Sequence, residues 1–317
     1  MILAVSITQN PSPLSNGYCG RFAPSPTGPL HAGSLVAALG SWLDARKNGG
    51  QWLLRIEDVD SPRCARGADQ DILRQLLACG LRWDGEVSWQ SRHQERYQAA
   101  LETLNTLQCL YPCTCSRQTI ASALAAQGTQ TPRNQEQVYP ATCRPTPLQI
   151  NDLSASLGQQ VAWRLALPHD CVVNFDDIRL GAQQQKLNTS VGDFVLRRSD
   201  GLFTYQLAVV VDDAEQGVSH VVRGEDLLSN TARQIHLQEL LGYSRPQYLH
   251  LPLVLDEKGE KLSKQTWATS IQTADAKQAL KELQRAAKHL GLSGLPDGQD
   301  TSIAEYLLAA TQSWGNR

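Results

Sequence analysis

The sequence predicts an α/β protein built on a largely parallel sheet, and three observations carry that prediction. Strand-like and helix-like patterns alternate between Tyr18 and Leu107. Apolar runs end repeatedly in acids, as in Gln51 to Asp60, Thr204 to Asp213 and Ser219 to Asp226. Parallel strands that finish at a ligand crevice read this way. Finally, Gly20 to Ser34 packs three prolines and three glycines between an extended run and a helix. Prolines fix φ and glycines admit angles that a Cβ forbids, so that stretch is a rigid, shaped loop.

The elements follow in order. A loose extension (residues 1–17) precedes a strand at about Tyr18 to Phe22 and a helix at His31 to Lys47. Leu35, Val36, Leu39, Trp42 and Leu43 recur at helical spacing there, and Gly49-Gly50 closes the helix. Its N-terminus, with His31 and Ser34 at the mouth, offers free N–H groups and a positive dipole end to phosphate. Helices at Ala65 to Cys79 and Ser91 to Leu107 complete a first α/β half, residues 18–108. Residues 109–200 read as an insertion, with short strands at Val161 to Leu167, Cys171 to Asp176 and Phe194 to Arg198. The second half, residues 201–265, holds two further apolar runs closed by acids, a helix at Ser229 to Leu241 and a strand near Leu249 to Leu255. A charged loop then runs to Gln265, and two helices fill residues 266–317.

Bulk properties narrow the function. The 317 residues are 41% hydrophobic, enough for a sizeable core, and 29 basic against 31 acidic residues leave a net charge of −2. A nucleic-acid partner therefore needs a local basic patch rather than a global field; Lys277, Lys281, Arg285 and Lys288 share one helix. There is no run of eighteen apolar residues, and Met1 to Ile7 lacks a charged n-region and soon meets Asn10-Pro11-Ser12-Pro13, so neither a membrane span nor a signal peptide is expected. Eight scattered cysteines suit a reducing cytoplasm, and Cys19, Cys64, Cys79, Cys109 and Cys171 read as small buried hydrophobes.

Two groupings point to chemistry. Lys261-Leu262-Ser263-Lys264-Gln265 places two cations three residues apart around a serine, a clamp suited to polyphosphate. Arg21, Glu57, Asp58, Asp60, Tyr205 and Arg223 each end or follow a strand-like segment, and such ends converge on one crevice. Two arginines there clamp a carboxylate and Glu57 holds an ammonium, which together read an α-amino acid with an acidic side chain.

These residues carry a resemblance. Arg21 to Gly28 with His31-Ala32-Gly33-Ser34 resembles the glutamate branch of class I aminoacyl-tRNA synthetases, His31 to Ser34 standing at the HIGH-type signature. Lys261 to Gln265 resembles its KMSKS-type signature, and Arg55 to Asp60 and Val222 to Leu227 match the same branch in the same order. The resemblance implies a Rossmann-type class I synthetase core that uses ATP and Mg²⁺ to convert L-glutamate to glutamyl-adenylate. Carried over by position, Arg21, Phe22, Ala23, Pro24, Ser25, Glu57, Tyr205 and Arg223 would bind glutamate. His31, Gly33, Ser34, Lys261, Ser263 and Lys264 would bind ATP, with His31 and Lys264 catalytic.

Only about 52 residues follow Gln265, too few for the branch's helical anticodon-reading domain. Shortened members of this shape resemble the glutamyl-Q tRNA(Asp) synthetases, which implies tRNA-independent activation and transfer to queuosine in the anticodon loop of tRNA(Asp), by a cytoplasmic monomer. A shortened enzyme charging a terminal ribose, or a catalytically silent tRNA-binding paralogue, are the alternatives. Cys113-x-Cys115 with Cys143 reads on spacing as three free thiols or as three ligands of a metal, with Tyr139 or Glu136 as the fourth. The resemblance implies one structural Zn²⁺ on Cys113, Cys115, Tyr139 and Cys143, in a zinc-bearing insertion.

Overall fold

The computed structural model describes residues 17–128, 137–153, 161–254, 270–298 and 301–315. Strand β1 (Cys19–Phe22) feeds the Pro/Gly loop and α1 (Ala32–Lys47), followed by β2 (Gln51–Ile56), α2 (Ala68–Ala78), β3 (Ser88–Trp89) and α3 (Gln94–Thr106). Helix α1 buries Leu35, Val36, Leu39 and Leu43, and stops where Gly49 takes the left-handed φ of +63°.

The middle of the chain holds β4 (Leu110–Cys113), α4 (Arg117–Ala126), β5 (Ala162–Leu165), β6 (Val172–Asp177), β7 (Gly181–Lys186), a single-turn α5 (Leu187–Ser190) and β8 (Phe194–Arg197). Then come α6 (Tyr205–Glu215), β9 (His220–Gly224), α7 (Leu228–Leu241), β10 (Gln247–Leu251), α8 (Ala276–His289) and α9 (Ile303–Trp314).

Among the described residues, seven strands form one sheet in the order β3-β2-β1-β9-β10-β6-β7, parallel throughout except for β7 on β6. The chain winds outward from β1 to β3, then restarts at β9 on the other side of β1. The gap between β1 and β9 is thus a topological switch point, and the C-terminal ends of those strands open a crevice. Successive side chains of a strand face opposite sides: Trp52, Leu54 and Ile56 join a core with α1, α8 and α9, while Leu53 meets a core with α3, α6 and α7. Helix α1 lies so close to the sheet that a Cβ on Gly40 would come within 2.6 Å of Leu251 Cδ1. The C-terminal helix is pinned back onto α1, the Trp314 indole donating to Asp44 Oδ1 at 2.9 Å.

Three expectations change. The apolar run from Thr204 to Asp213, read with the grammar of a strand, is helix α6. Leu207 to Val211 are all buried, and a short run that is apolar on every side cannot be told from a strand by periodicity. The stretch 109–200 contributes a separate three-stranded sheet, β4-β5-β8, but β6 and β7 also extend the main sheet beyond β10. Of the five cysteines expected inside, Cys19, Cys79 and Cys171 are buried, while Cys64 and Cys109 are half-buried.

Candidate active site and cysteine cluster

The crevice at the switch point contains a cavity of about 500 Å³. Arg21 to Ser25 form one wall, Glu57, Tyr205 and Arg223 another, and His31, Gly33 and Ser34 stand at the mouth. Arg21 and Arg223, distant in sequence, thus meet because β1, β2 and β9 end together. The loop is braced rather than loose. Glu57 N–H donates to the Pro24 carbonyl at 2.9 Å, and Leu30 N–H donates to Gln75 Oε1 at 2.7 Å. His31 is the N-cap of α1, its Nδ1 accepting from the Ser34 N–H at 3.3 Å. It also bridges Ser270 in antiparallel fashion.

A buried charge network lies under the cavity floor. Arg21 Nε donates to Asp213 Oδ1 at 3.2 Å, and Arg55 reaches the same oxygen at 2.8 Å and Glu57 Oε1 at 3.2 Å. Burial alone would push the Asp213 carboxyl up, but Arg21 and Arg55 outweigh it and hold it below the usual carboxylate range. Burial wins at Glu57, whose pKa is raised against the pull of Arg55 and Arg21. Arg21 spends its Nε on Asp213; among the described residues no hydrogen bond uses its terminal nitrogens, and the residue borders the cavity. Arg223 is more committed: four of its five N–H groups go to His250, Tyr205, Gln234 and Thr231.

Not every strand-end acid joins in. Asp58 accepts from the Ser91 N–H and Oγ, both at 2.7 Å, and so anchors the start of the following turn. Asp60 pairs with Arg63 and Arg198 and borders a second cavity of about 430 Å³. That cavity shares Ser25, Glu57, Arg63 and Tyr205 with the first. Five arginines (Arg63, Arg117, Arg164, Arg198, Arg233) face three carboxylates there, a balance that suits a phosphate-bearing ligand. Lys261, Ser263 and Lys264 lie outside the described residues. The residues flanking that stretch are placed: Val254 lines the first cavity and Ser270 pairs with His31.

Sequence reasoning assigned no role to Arg55, Asp213 or His250, all in or under the site. The available signal was a polar residue inside an apolar strand, as in Trp52-Leu53-Leu54-Arg55-Ile56 and Tyr248-Leu249-His250-Leu251. Such a residue is buried only if it has a partner.

The second cavity backs onto three cysteines. The sulfurs of Cys113, Cys115 and Cys143 lie within 4.8 Å of one another, at the end of β4 and in the loop that follows Tyr139. Tyr139 Oη sits 3.3 Å from Cys113 Sγ and 3.6 Å from Cys115 Sγ, and accepts from the Cys143 N–H at 3.0 Å. The Cys143 thiol is burdened by burial but brought down to about 7 by a backbone hydrogen bond at Thr114 and by its thiol and phenol neighbours. A tetrahedral zinc with bonds of about 2.3 Å holds its sulfurs about 3.8 Å apart, so the donor set fits such an ion. Gly192 makes the closure possible: at φ +71° it bridges Tyr139, and a Cβ there would sit 2.9 Å from Tyr139 backbone atoms.

Fold and site together define a class I tRNA synthetase catalytic domain. Residues 19–307 match the family model described as tRNA synthetases class I (E and Q), catalytic domain, and the chain belongs to that family of ligases. It is 52% identical over 306 residues to a protein of Cupriavidus metallidurans named glutamyl-Q tRNA(Asp) synthetase, covering 96% of this chain and 93% of the relative. A Burkholderia cenocepacia protein of the same name is 51% identical, with 96% and 98% covered. Among solved structures, a glutamate tRNA ligase from Elizabethkingia meningosepticum in complex with its amino acid superposes with a TM-score of 0.73 at 26% identity; the match spans 92% of this chain and 64% of that one. No described helix is long and apolar enough to cross a membrane.

Proposed function

We propose that the protein activates L-glutamate with ATP, without tRNA, and transfers it to queuosine in the anticodon loop of tRNA(Asp). The observation that carries this reading is the pair of cavities joined through Ser25, Glu57, Arg63 and Tyr205. Shared walls allow a carboxylate activated in the first cavity to meet a hydroxyl held in the second. The names of relatives at 51–52% identity support this choice of acceptor.

In the first chamber Arg21 and Arg223 take a substrate carboxylate and Glu57 the ammonium, while Phe22 to Ser25 and Tyr205 shape the wall. The second carboxylate attacks the α-phosphorus of ATP and pyrophosphate leaves. Charge builds on the phosphate oxygens, where His31, the α1 N-terminus at Gly33 and Ser34, Lys261, Ser263 and Lys264 supply positive and N–H groups, with Mg²⁺ on the nucleotide. These groups are aimed at the transition state rather than at the ground state, so no enzyme nucleophile is required. A queuosine hydroxyl in the second chamber then attacks the mixed anhydride, and AMP departs. The protein acts as a cytoplasmic monomer.

Isotope exchange between pyrophosphate and ATP tests the first step. It should depend on glutamate, proceed without tRNA, and fall to background with glutamine or aspartate. Exchange that requires tRNA would contradict tRNA-independent activation.

The Glu57 role has a pH signature. Its raised pKa means that the carboxylate, the form that holds an ammonium, is lost as pH falls through that raised value. KM for glutamate should therefore climb on acidification and do so at a higher pH than for an ordinary carboxyl, and Glu57→Gln should give a high, flat profile. A wild-type KM that stays level would exclude Glu57 as the ammonium partner.

Cys113, Cys115, Tyr139 and Cys143 hold one structural Zn²⁺. Elemental analysis should find about one zinc per chain and Cys115→Ser should lose it, since a metal-bound thiolate has no good hydroxyl substitute. Zinc that survives in Cys115→Ser would remove that residue from the ligand set.

A further inference from the structure

Arg223 is held by a hydrogen-bonded chain whose far end lies two strands away. We infer that Asp177 and His250 are positioning residues for the carboxylate clamp: Asp177 fixes the tautomer of His250, and His250 thereby fixes the guanidinium plane of Arg223. This rests on the reading of the first cavity as the glutamate site.

The three residues sit at adjacent strand ends, on β6, β10 and β9, and all are buried. Asp177 Oδ2 lies 2.7 Å from His250 Nδ1 and also accepts the His250 backbone N–H at 3.0 Å. Its other oxygen accepts from the N–H groups of Arg179 and Leu180, at 3.1 and 2.9 Å. Each carboxylate oxygen thus faces two N–H directions, and a carboxylate only accepts. The proton of a neutral His250 therefore sits on Nδ1.

Nε2 is then an acceptor, taking the Arg223 Nε–H at 3.2 Å with the Thr231 hydroxyl also 3.2 Å away. The reverse tautomer would set a bare Nδ1 lone pair against the Asp177 carboxylate at 2.7 Å and crowd its Nε2–H against the Arg223 Nε–H. A doubly protonated ring would add a second cation beside the guanidinium. Burial and the Arg223 charge together push the His250 pKa down to about 4, which keeps the ring neutral.

Arg223 also lies over the Tyr248 ring of β10 at 5.6 Å and donates to the Tyr205 hydroxyl at 3.3 Å, and its two shorter hydrogen bonds go to α7. Thr231 Oγ1 accepts from its NH2 group at 2.8 Å, and Gln234 Oε1 from NH1 at 2.7 Å. These two acceptors sit on α7, so they pin the outer edge of the fork, while His250 sets its angle from the sheet. A clamp that reads a carboxylate depends on that angle, because two N–H groups must meet two oxygens in one plane.

Two variants of His250 separate positioning from packing. Leucine fills a similar buried volume but offers no acceptor; glutamine can present a carbonyl oxygen to the Arg223 Nε–H. In glutamate-dependent pyrophosphate exchange, His250→Leu should raise KM for glutamate about tenfold or more, as expected for losing a hydrogen bond to a charged group. KM for ATP should stay near the wild-type value, and His250→Gln should recover most of the loss. Equal KM increases in both variants, or an ATP KM that moves as much as the glutamate KM, would overturn the proposal. Should the leucine variant fail to fold, nitrogen-15 NMR of the wild-type histidines gives an independent answer. One ring should be neutral with its proton on Nδ1, and an Nε2-protonated His250 would refute the relay. Failure of the wild type to exchange pyrophosphate with glutamate would instead sink the substrate reading, leaving the tautomer result to stand alone.

Discussion

Asp213→Ala should cost about 3–5 kcal/mol of folding stability, the largest loss expected from a single side chain near the site. Asp213 is the shared anion of two buried guanidiniums, accepting from Arg21 Nε at 3.2 Å and pairing with Arg55 at 2.8 Å. Truncation leaves Arg55 fully buried without its nearest anion and strips Arg21, at the cavity wall, of its carboxylate partner. Glu57 offers Arg55 some compensation at 3.2 Å, but its own pKa is already raised by burial. Asp213→Asn, which keeps an oxygen acceptor and loses the charge, should fall between alanine and the wild type. The acid limb has a definite sign. A carboxyl whose folded pKa is depressed contributes stability above its unfolded pKa of about 4 and loses it as pH falls through the lower folded value. Urea unfolding curves at neutral pH check the ordering, and an alanine cost below about 1 kcal/mol would show that Arg21 and Arg55 find other partners.

His31→Ala should slow glutamate-dependent pyrophosphate exchange by about 10²–10³-fold, in line with losing one preorganised donor at a developing anion. The same change removes an N-cap, since Nδ1 accepts the Ser34 N–H, and costs about 1 kcal/mol of stability. His31→Asn separates the two roles, because asparagine is a strong N-cap residue but does not reach as far as an imidazole Nε2. Stability should return to the wild-type level while exchange remains slow. An asparagine variant that exchanges at the wild-type rate would reduce His31 to a cap.

The residues that line the cavity were legible in the sequence because the parallel sheet converts strand ends into neighbours. Arg21, Glu57 and Arg223 stand at the ends of β1, β2 and β9, and no knowledge of long-range pairing is needed to bring them together. Tyr205 reached the same cavity by a different route: it opens helix α6 rather than closing a strand, and the buried Leu207 to Val211 run concealed the difference. What could not be read is the support beneath. Arg21 and Asp213 are 192 residues apart, and Asp177 and His250 are 73 apart. Pairings of that kind depend on strand order, and the joining of β6 to β10 was not anticipated from a stretch read as an insertion. The cysteine cluster lies between these extremes. Spacing alone left its fourth member open, and the meeting of Tyr139 Oη with Cys113 and Cys115 Sγ depends on a chain bend that Gly192 permits.

On this reading one carboxylate is activated in the first cavity and handed to a modified base through the second. Transfer of labelled glutamate to purified tRNA(Asp), with and without queuosine, and to tRNA(Glu), measures this directly. The account predicts ATP-dependent labelling of the queuosine-bearing tRNA(Asp) alone. Equal labelling of queuosine-free tRNA(Asp), or charging of tRNA(Glu), would contradict it.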